Sequence, residues 1–171
     1  MFKIVGITLL VLVLLVTACG QADQAPQEAG IAEIGLVFEV PADWQRVANE
    51  VAWTPSQGSG VRVGVDWMEL EPPMEAEAVM LPGQSQVLAS EPVTLDWASG
   101  RRITLEVYAS PVEGEGQAPV ESVQSHVLVV RTDGGTRLAV DFYASAPTEE
   151  ALKEAESVLQ RMVDSSRLDG D

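Results

Sequence analysis

The chain contains one histidine and one cysteine, the two side chains best suited to acid–base or nucleophilic chemistry. The histidine, His126, lies in a β-rich run between Ser125 and Val127. A hydrolytic serine–histidine–acid site is often marked by a Gly-x-Ser-x-Gly turn, which this sequence does not contain. His126 also has no companions at metal-ligand spacing. We therefore expect a structural or exposed role for His126, and the sequence predicts no catalytic residue, no metal site and no cofactor.

The cysteine, Cys19, follows a short apolar run at residues 4–16 that begins after the basic Lys3. A spanning helix needs about 20 apolar residues, so this run has the length of an export signal instead. Its end, Val16-Thr17-Ala18-Cys19, resembles the lipobox of bacterial lipoproteins. The resemblance implies diacylglycerol on the Cys19 thiol, cleavage before Cys19 and, often, acylation of the new amino group. A plain secretory signal with a chance cysteine is the alternative.

Lipid on Cys19 would decide both location and covalent chemistry. Two or more acyl chains, such as palmitate, anchor a protein stably to a membrane, whereas one chain binds only marginally. The sequence thus predicts a lipid-anchored protein on the extracytoplasmic side of the cell membrane, with inner and outer membranes both open. Because the lipid consumes the only thiol, the exported domain must fold without an internal disulfide.

The charge of the chain restricts its partners. The 171 residues carry a net charge of −16, and 46% of them are hydrophobic, enough for one domain with a real core. Nucleic acid requires basic neutralisation of its phosphates, so the acidic balance argues against it. Anionic lipid is disfavoured for the same reason. Basic protein surfaces or cations are the partners left open, although acidity that merely provides solubility is the simpler interpretation.

The sequence divides into a signal peptide at residues 1–18, an acylated cysteine and flexible tether at 19–33, and a single domain at 34–171. As a coil, residues 20–33 would average roughly 20 Å end to end. Alternating apolar residues predict strands in the domain. They cover 34–40, 45–48, 51–54, 61–70, 101–109, 120–132 and 136–144, with two more extended pieces in 84–98 divided at Glu91-Pro92. A turn is expected at 99–100, a short helix at 75–81 and a polar tail at 167–171.

Two features near the C-terminus are the clearest local patterns. Asp133-Gly134-Gly135 predicts a tight hairpin between two long strands, because glycine supplies the positive φ that such a turn needs. Thr148 predicts the N-cap of a helix with acids in its first turn. The helix carries one apolar stripe, made of Leu152, Ala155, Val158, Leu159, Met162 and Val163. Such a stripe must cover an apolar sheet face, so the expected class is α+β.

The domain resembles the PsbP-like family, which is named after an extrinsic photosystem II protein. The resemblance is carried by the strand at 36–40 with the following Pro41-Ala42-Asp43-Trp44, by Gly100-Arg101-Arg102, and by the closing helix running into Ser165-Ser166-Arg167-Leu168. It implies a PsbP-like α/β/α sandwich, a central antiparallel sheet flanked by helices, with a C-terminal amphipathic helix. Members of the family, among them a nuclear-transport factor that binds a small GTPase and many bacterial lipoproteins, act mostly in binding or assembly.

These observations predict a lipid-anchored accessory protein, not an enzyme, that docks a membrane-associated or exported protein partner. Aromatic residues in strands are more often core than ligand groove. Trp44 and Trp97, which lie beside turns, are the candidates for a contact surface. One alternative is a carrier that holds an apolar ligand between the helix and the sheet. A hydrolase using His126 is a second, less favoured alternative.

Overall fold

The computed structural model describes residues 25–110 and 118–169; Cys19 and the predicted signal peptide lie outside this part of the chain. In chain order, its elements are β1 Gln27–Ile31, β2 Leu36–Val40, β3 Trp44–Arg46, β4 Ala52–Pro55, β5 Arg62–Leu70, α1 Ala76–Met80, β6 Ser85–Thr94, β7 Ser99–Tyr108, β8 Val120–Asp133, β9 Thr136–Ala146, α2 Glu149–Asp164 and β10 Arg167–Leu168. Neither of these helices has the length and apolarity needed to span a bilayer.

The strands form two antiparallel sheets. The larger sheet has seven strands in the order β3-β4-β5-β9-β8-β7-β6, so β3 and β6 lie at its edges. The smaller sheet has three strands in the order β1-β2-β10. One face of the large sheet packs against α2 and the small sheet around a common core that includes Phe38, Phe142 and Leu159. The opposite face carries a smaller apolar cluster under α1, with Ala76 against Leu128. Helices on both faces confirm the predicted fold class.

The hairpin between β8 and β9 joins the two longest strands of the sheet. Asp133 pairs with Thr136, which leaves a loop of only Gly134 and Gly135. Both glycines have positive φ, 54° and 94°, which a two-residue loop of this kind requires and which other residues adopt at a cost. The predicted hairpin is confirmed, and its register aligns every side chain along both strands.

The C-terminal helix forms as the sequence predicts. Thr148 is its N-cap, and the hydroxyl oxygen accepts a hydrogen bond from the Ala151 amide at 3.3 Å. Glu149 and Glu150 lie in the first turn, where the helix dipole favours negative charge. All six members of the predicted apolar stripe are buried. At about 1.5–3 kcal/mol for each large apolar side chain removed from water, this face supplies most of the helix's stability.

Two segments near the ends of the domain form strands that the sequence did not indicate. Gln27–Ile31, assigned to the flexible tether, pair with β2 along their whole length, so the tether boundary at residue 33 is wrong. The Gln27 side chain also donates hydrogen bonds to the carbonyls of Pro41 and Trp44. Arg167–Leu168, assigned to a polar tail, pair with the other edge of β2. Neither segment shows apolar alternation in its sequence. Both are strands because their backbones pair with β2.

The β6–β7 hairpin also differs from the prediction. The pieces divided at Glu91-Pro92 form one continuous strand, in which Pro92 pairs with Arg101. Proline is tolerated there because β6 is an edge strand and the backbone nitrogen of Pro92 points away from β7, where no hydrogen bond to the sheet is needed. Ser99 and Gly100 begin β7 instead of forming a turn. The turn lies at residues 95–98, closed by a 2.8 Å hydrogen bond from the Leu95 amide to the Ala98 carbonyl.

Gly100 allows β7 to approach β8 closely, and replacing it tests this packing. A Cβ at this position would overlap the Leu128 carbonyl oxygen and crowd the Val129 backbone. Backbone cannot move aside as a flexible side chain can, so Gly100→Ala should lower the free energy of unfolding by about 1–3 kcal/mol or more. Urea denaturation measures the change. Gly83→Ala is the control, since nothing lies within 4 Å of its Cβ position. Equal stability of the two variants would contradict the packing described.

Candidate functional site

An open groove of about 810 Å³ separates α2 from the β6–β7 hairpin on the sheet face that α2 covers. Strands β6 and β7 form one side of the groove, and the outer flank of α2 forms the other. The lining residues are Ala89, Ser90, Glu91, Val93, Thr94, Arg102, Thr104, Glu156, Ser157, Gln160, Val163 and Asp164. The lining is mixed in polarity, and the groove opens to solvent along its length, as a binding cleft does.

A chain of polar contacts crosses the groove. The guanidinium of Arg102 on β7 donates to the amide oxygen of Gln160 on α2. Its Nε atom lies 3.6 Å from a carboxylate oxygen of Glu91 on β6. The amide nitrogen of Gln160 in turn donates to Asp164 at 2.6 Å. Arg102, with a side chain only 20% exposed, is thus held from both walls.

The charge of the groove follows from these contacts. Among the described residues that line the groove, Arg102 alone is basic, and Glu91 compensates its charge. Glu156 and Asp164 on α2 then leave the groove with an excess of negative charge. A ligand that brings positive charge would therefore be favoured there.

The sequence analysis does not predict this groove, although the residues of each wall follow a recognisable pattern. Along β7, Arg102 and Thr104 alternate with the buried Ile103 and Leu105, so they share the opposite face of the strand. Along α2, Glu156 and Gln160 are four residues apart and therefore lie on one flank, beside the apolar stripe. Neither pattern shows that the two flanks face each other, because that depends on how far the sheet extends beyond α2.

The outer edge of β6 forms the rim of the groove. The hydrogen bond from Leu95 to Ala98 fixes which residues of β6 face β7, since bonding alternates along an antiparallel pair. By this alternation, the backbone groups of Ser90, Pro92 and Thr94 point outward. Within the described residues, no strand pairs with this edge. Leu88, at the register shift between Val87 and Ala89, is 46% exposed on the same strand.

The two predicted contact residues, Trp44 and Trp97, contribute mainly to the core. Trp44 is only 7% exposed, within the main apolar cluster. Trp97 is half-buried, with its ring against Phe142 and its indole nitrogen donating to the Ser166 hydroxyl at 3.2 Å. A contact role for either ring stays a prediction, and Trp97 keeps the larger accessible surface. Cys19, the predicted lipid site, lies outside the described residues.

His126 lies on the other face of the sheet and is 3% exposed. One ring nitrogen contacts the Asp141 carboxylate at 2.8 Å, and the other contacts the Gln124 amide oxygen at 2.9 Å. Each ring nitrogen therefore has its own hydrogen-bonding partner. With neither nitrogen open to a substrate, this geometry supports a structural role and disfavours the hydrolase alternative.

Asp141 belongs to a larger polar cluster on that face. Asp66 is its direct partner across β5 and β9, and two carboxylates side by side repel each other. Partial desolvation raises the pKa of Asp66 above its ordinary value of 3.8, although the residue is still exposed on one side, and Asp141 raises this pKa further, against opposing effects of Arg62 and His126. Burial likewise raises the pKa of the neighbouring Tyr143 phenol. Both shifts disfavour the charged forms of Asp66 and Tyr143.

The sequence left two other ligands open, a cation and an apolar molecule between α2 and the sheet. In the part of the chain that the structure describes, no group of three or more His, Cys, Asp or Glu residues could hold a metal ion. The space between α2 and the sheet, where the carrier alternative puts its ligand, is occupied by fully buried side chains that include Phe142, Leu159 and Met162. The open groove beside α2 is therefore the candidate binding site.

Comparison by sequence finds no match to a protein-family model or to a curated protein. Comparison by structure finds cyanobacterial PsbP from Synechocystis, with a TM-score of 0.50 and 14% identity over 90% of this chain and 98% of that one. LpqN of Mycobacterium tuberculosis, involved in cell envelope biogenesis, matches with a TM-score of 0.55 and 14% identity, over 85% and 92%. The Ran-binding protein Mog1 of Saccharomyces cerevisiae gives 0.53 and 11%, over 84% and 95%. The fold is PsbP/Mog1-like.

This result confirms the fold that the sequence resemblance implied. At 11–14% identity, the likeness concerns the fold alone, because one fold hosts many functions. What this chain binds has to be argued from its own groove and its own N-terminal sequence.

The ionised form of Asp66 should destabilise the fold, so the stability of the protein should depend on pH. Its pKa is higher in the folded than in the unfolded state, so stability is lost as pH rises through the folded pKa. The effect vanishes below the ordinary value of 3.8, where both states are protonated. Asp66→Asn should therefore raise the melting temperature at pH 7, and the gain should disappear as pH falls towards 4. Asp43→Asn, in an exposed loop, is the charge control. A gain that is absent at pH 7, or that is independent of pH, would contradict the interpretation.

Proposed function

We propose that the protein is a lipid-anchored accessory protein on the extracytoplasmic side of the membrane and that it binds a protein partner. The open groove between α2 and the β6–β7 hairpin carries the proposal, since it joins a charged cleft to a strand edge with which none of the described strands pairs. The lipobox-like sequence before Cys19 supports the anchor. Two proteins of the same fold point in the same direction by their names, one as Ran-binding and one as involved in cell envelope biogenesis.

The folded domain begins close to the proposed anchor. Only residues 20–26 separate Cys19 from β1, and a chain between Cys19 and Gln27 spans at most roughly 28 Å when fully extended. Gln27 lies beside Pro41 and Trp44, at the end of the large sheet where β4 ends and β5 begins. That end would face the membrane. The groove would then lie on the side of the domain, within reach of another membrane-associated protein.

The chemistry of the groove suits binding better than reaction. Its basic group, Arg102, is already held by Glu91 and Gln160, and its acids lie towards solvent. His126 is buried on the opposite face of the sheet, against Asp141. The sheet therefore separates the His126 imidazole from the groove.

Cys19→Ala tests the anchor. Without the thiol no lipid can be attached, so the protein should move from the membrane fraction to the soluble extracytoplasmic fraction or remain as an unprocessed precursor. Immunoblotting of fractionated cells measures the distribution. Ala18→Gly, which keeps a small residue before the cysteine, should stay in the membrane. A Cys19→Ala protein that fractionates as wild type does would contradict lipid attachment at this residue.

Partner capture tests the binding function. Wild-type protein affinity-purified from detergent-solubilised membranes should retain a specific protein, identified by quantitative mass spectrometry. The control is an unrelated acidic domain fused to residues 1–26 of this chain, which shares the anchor but not the groove. Material recovered equally with both would contradict a specific accessory role.

A further inference from the structure

The outer edge of β6 and the adjoining groove suggest the chemistry of the partner. We infer that this surface binds an extended, lysine- or arginine-rich segment of a protein partner. This inference rests on the proposed function. The segment would add to β6 as an additional strand and place alternate side chains in the groove. Strand addition to an open sheet edge is a common mode of peptide recognition, in which backbone hydrogen bonds supply affinity and alternate side chains supply specificity.

The backbone of β6 offers the required groups. Its outward positions, Ser90 and Thr94, each present an amide and a carbonyl, whereas Pro92 presents a carbonyl only. The edge thus holds more acceptors than donors. The register shift between Val87 and Ala89 interrupts the regular edge towards its beginning, which limits the addition to the second half of the strand.

The groove supplies the charge preference. Glu91, Glu156 and Asp164 line it against the single, already compensated Arg102. A strand lying along β6 projects every second side chain to the face that carries the groove. Long basic side chains at those positions would reach the carboxylates of α2. The same charges disfavour an acidic segment.

A second copy of this chain fits the surface less well. Each molecule carries a net charge of −16, and pairing two β6 edges would bring two such grooves together. Pro92 lacks an amide donor for either occupant, so charge is what distinguishes a basic segment from a second copy. The net charge equally argues against nucleic acid as the occupant.

Synthetic peptides test the inference on the full chain held in neutral detergent. The probe is a fluorescein-labelled peptide of alternating lysine and valine with the length of β6, and fluorescence anisotropy measures its binding. A peptide of alternating glutamate and valine should bind about ten-fold more weakly or worse. The lysine–valine peptide with methyl groups on its alternate, edge-facing amides should also lose about ten-fold, because it cannot complete the added strand.

Matched variants locate the binding on the protein. Glu156→Lys reverses a charge inside the groove and should weaken the lysine–valine peptide about ten-fold. Glu154→Lys makes the same change on the same helix outside the groove and should change binding less than about two-fold. Glu156→Gln, with circular dichroism as the folding check, separates loss of charge from misfolding and should show an intermediate loss.

Four results would overturn the inference. Equal binding of the methylated peptide, or equal loss in the Glu154→Lys and Glu156→Lys proteins, would mean diffuse attraction to an acidic surface. Dimers in sedimentation velocity that exclude the peptide would assign the edge to a second copy. If a membrane partner is still captured by the Glu156→Lys protein, this surface is not its binding site, while the proposed function still holds. Peptide binding without any captured partner would instead contradict the proposed function.

Discussion

The burial of α2 between the two sheets is the contact on which the rest of the structure depends. The apolar stripe of this helix packs on β9, β8 and β5 of the large sheet and on β2 of the small one. The chain then passes directly from α2 into β10, whose pairing completes the small sheet. The Ser165 hydroxyl, at the end of the helix, accepts a hydrogen bond from the Glu39 amide of β2 at 2.9 Å. Removing α2 would therefore expose one face of the large sheet and detach an edge of the small one.

The groove is a consequence of the same arrangement. The large sheet extends past α2 by β6 and β7, and only the end of their hairpin returns to the core. Trp97 makes that return, because its ring lies against Phe142 and its indole nitrogen bonds to Ser166 just beyond the helix. This closure and the polar contacts of Arg102 connect the two walls of the groove.

Sequence patterns that indicate burial of one face predict the correct secondary-structure elements. The hairpin at Gly134 and the helix after Thr148 were predicted because turn chemistry, capping and periodicity agree there. Strands β1 and β10 escaped prediction, since backbone pairing with β2 determines them and their side chains are mostly exposed. The continuity of β6 through Pro92 was missed for a related reason. A proline excludes a central strand but not an edge, and the sequence does not say which strands lie at edges.

The sites show the same limit. The contact of His126 with Asp141 follows from the two-residue loop at Gly134, because this register places Asp141 opposite Leu128 and on the face of His126. The sequence predicts a three-residue turn, Asp133-Gly134-Gly135, which does not give this register. The groove could not be found this way, because Arg102 and Gln160 are brought together by tertiary packing between elements far apart in sequence. No register or helical period connects them.

The proposed anchor and the fold are connected by a short segment, because only residues 20–26 separate Cys19 from β1. With Cys19 acylated as proposed, this segment would hold the groove near the membrane, where a basic segment of a partner could enter it. Intact-mass analysis of the protein isolated from its native membrane tests this central claim most directly. The account predicts a chain that begins at Cys19 and carries the added mass of diacylglycerol, with or without a further acyl chain. An unmodified chain that still begins at Met1 would contradict it.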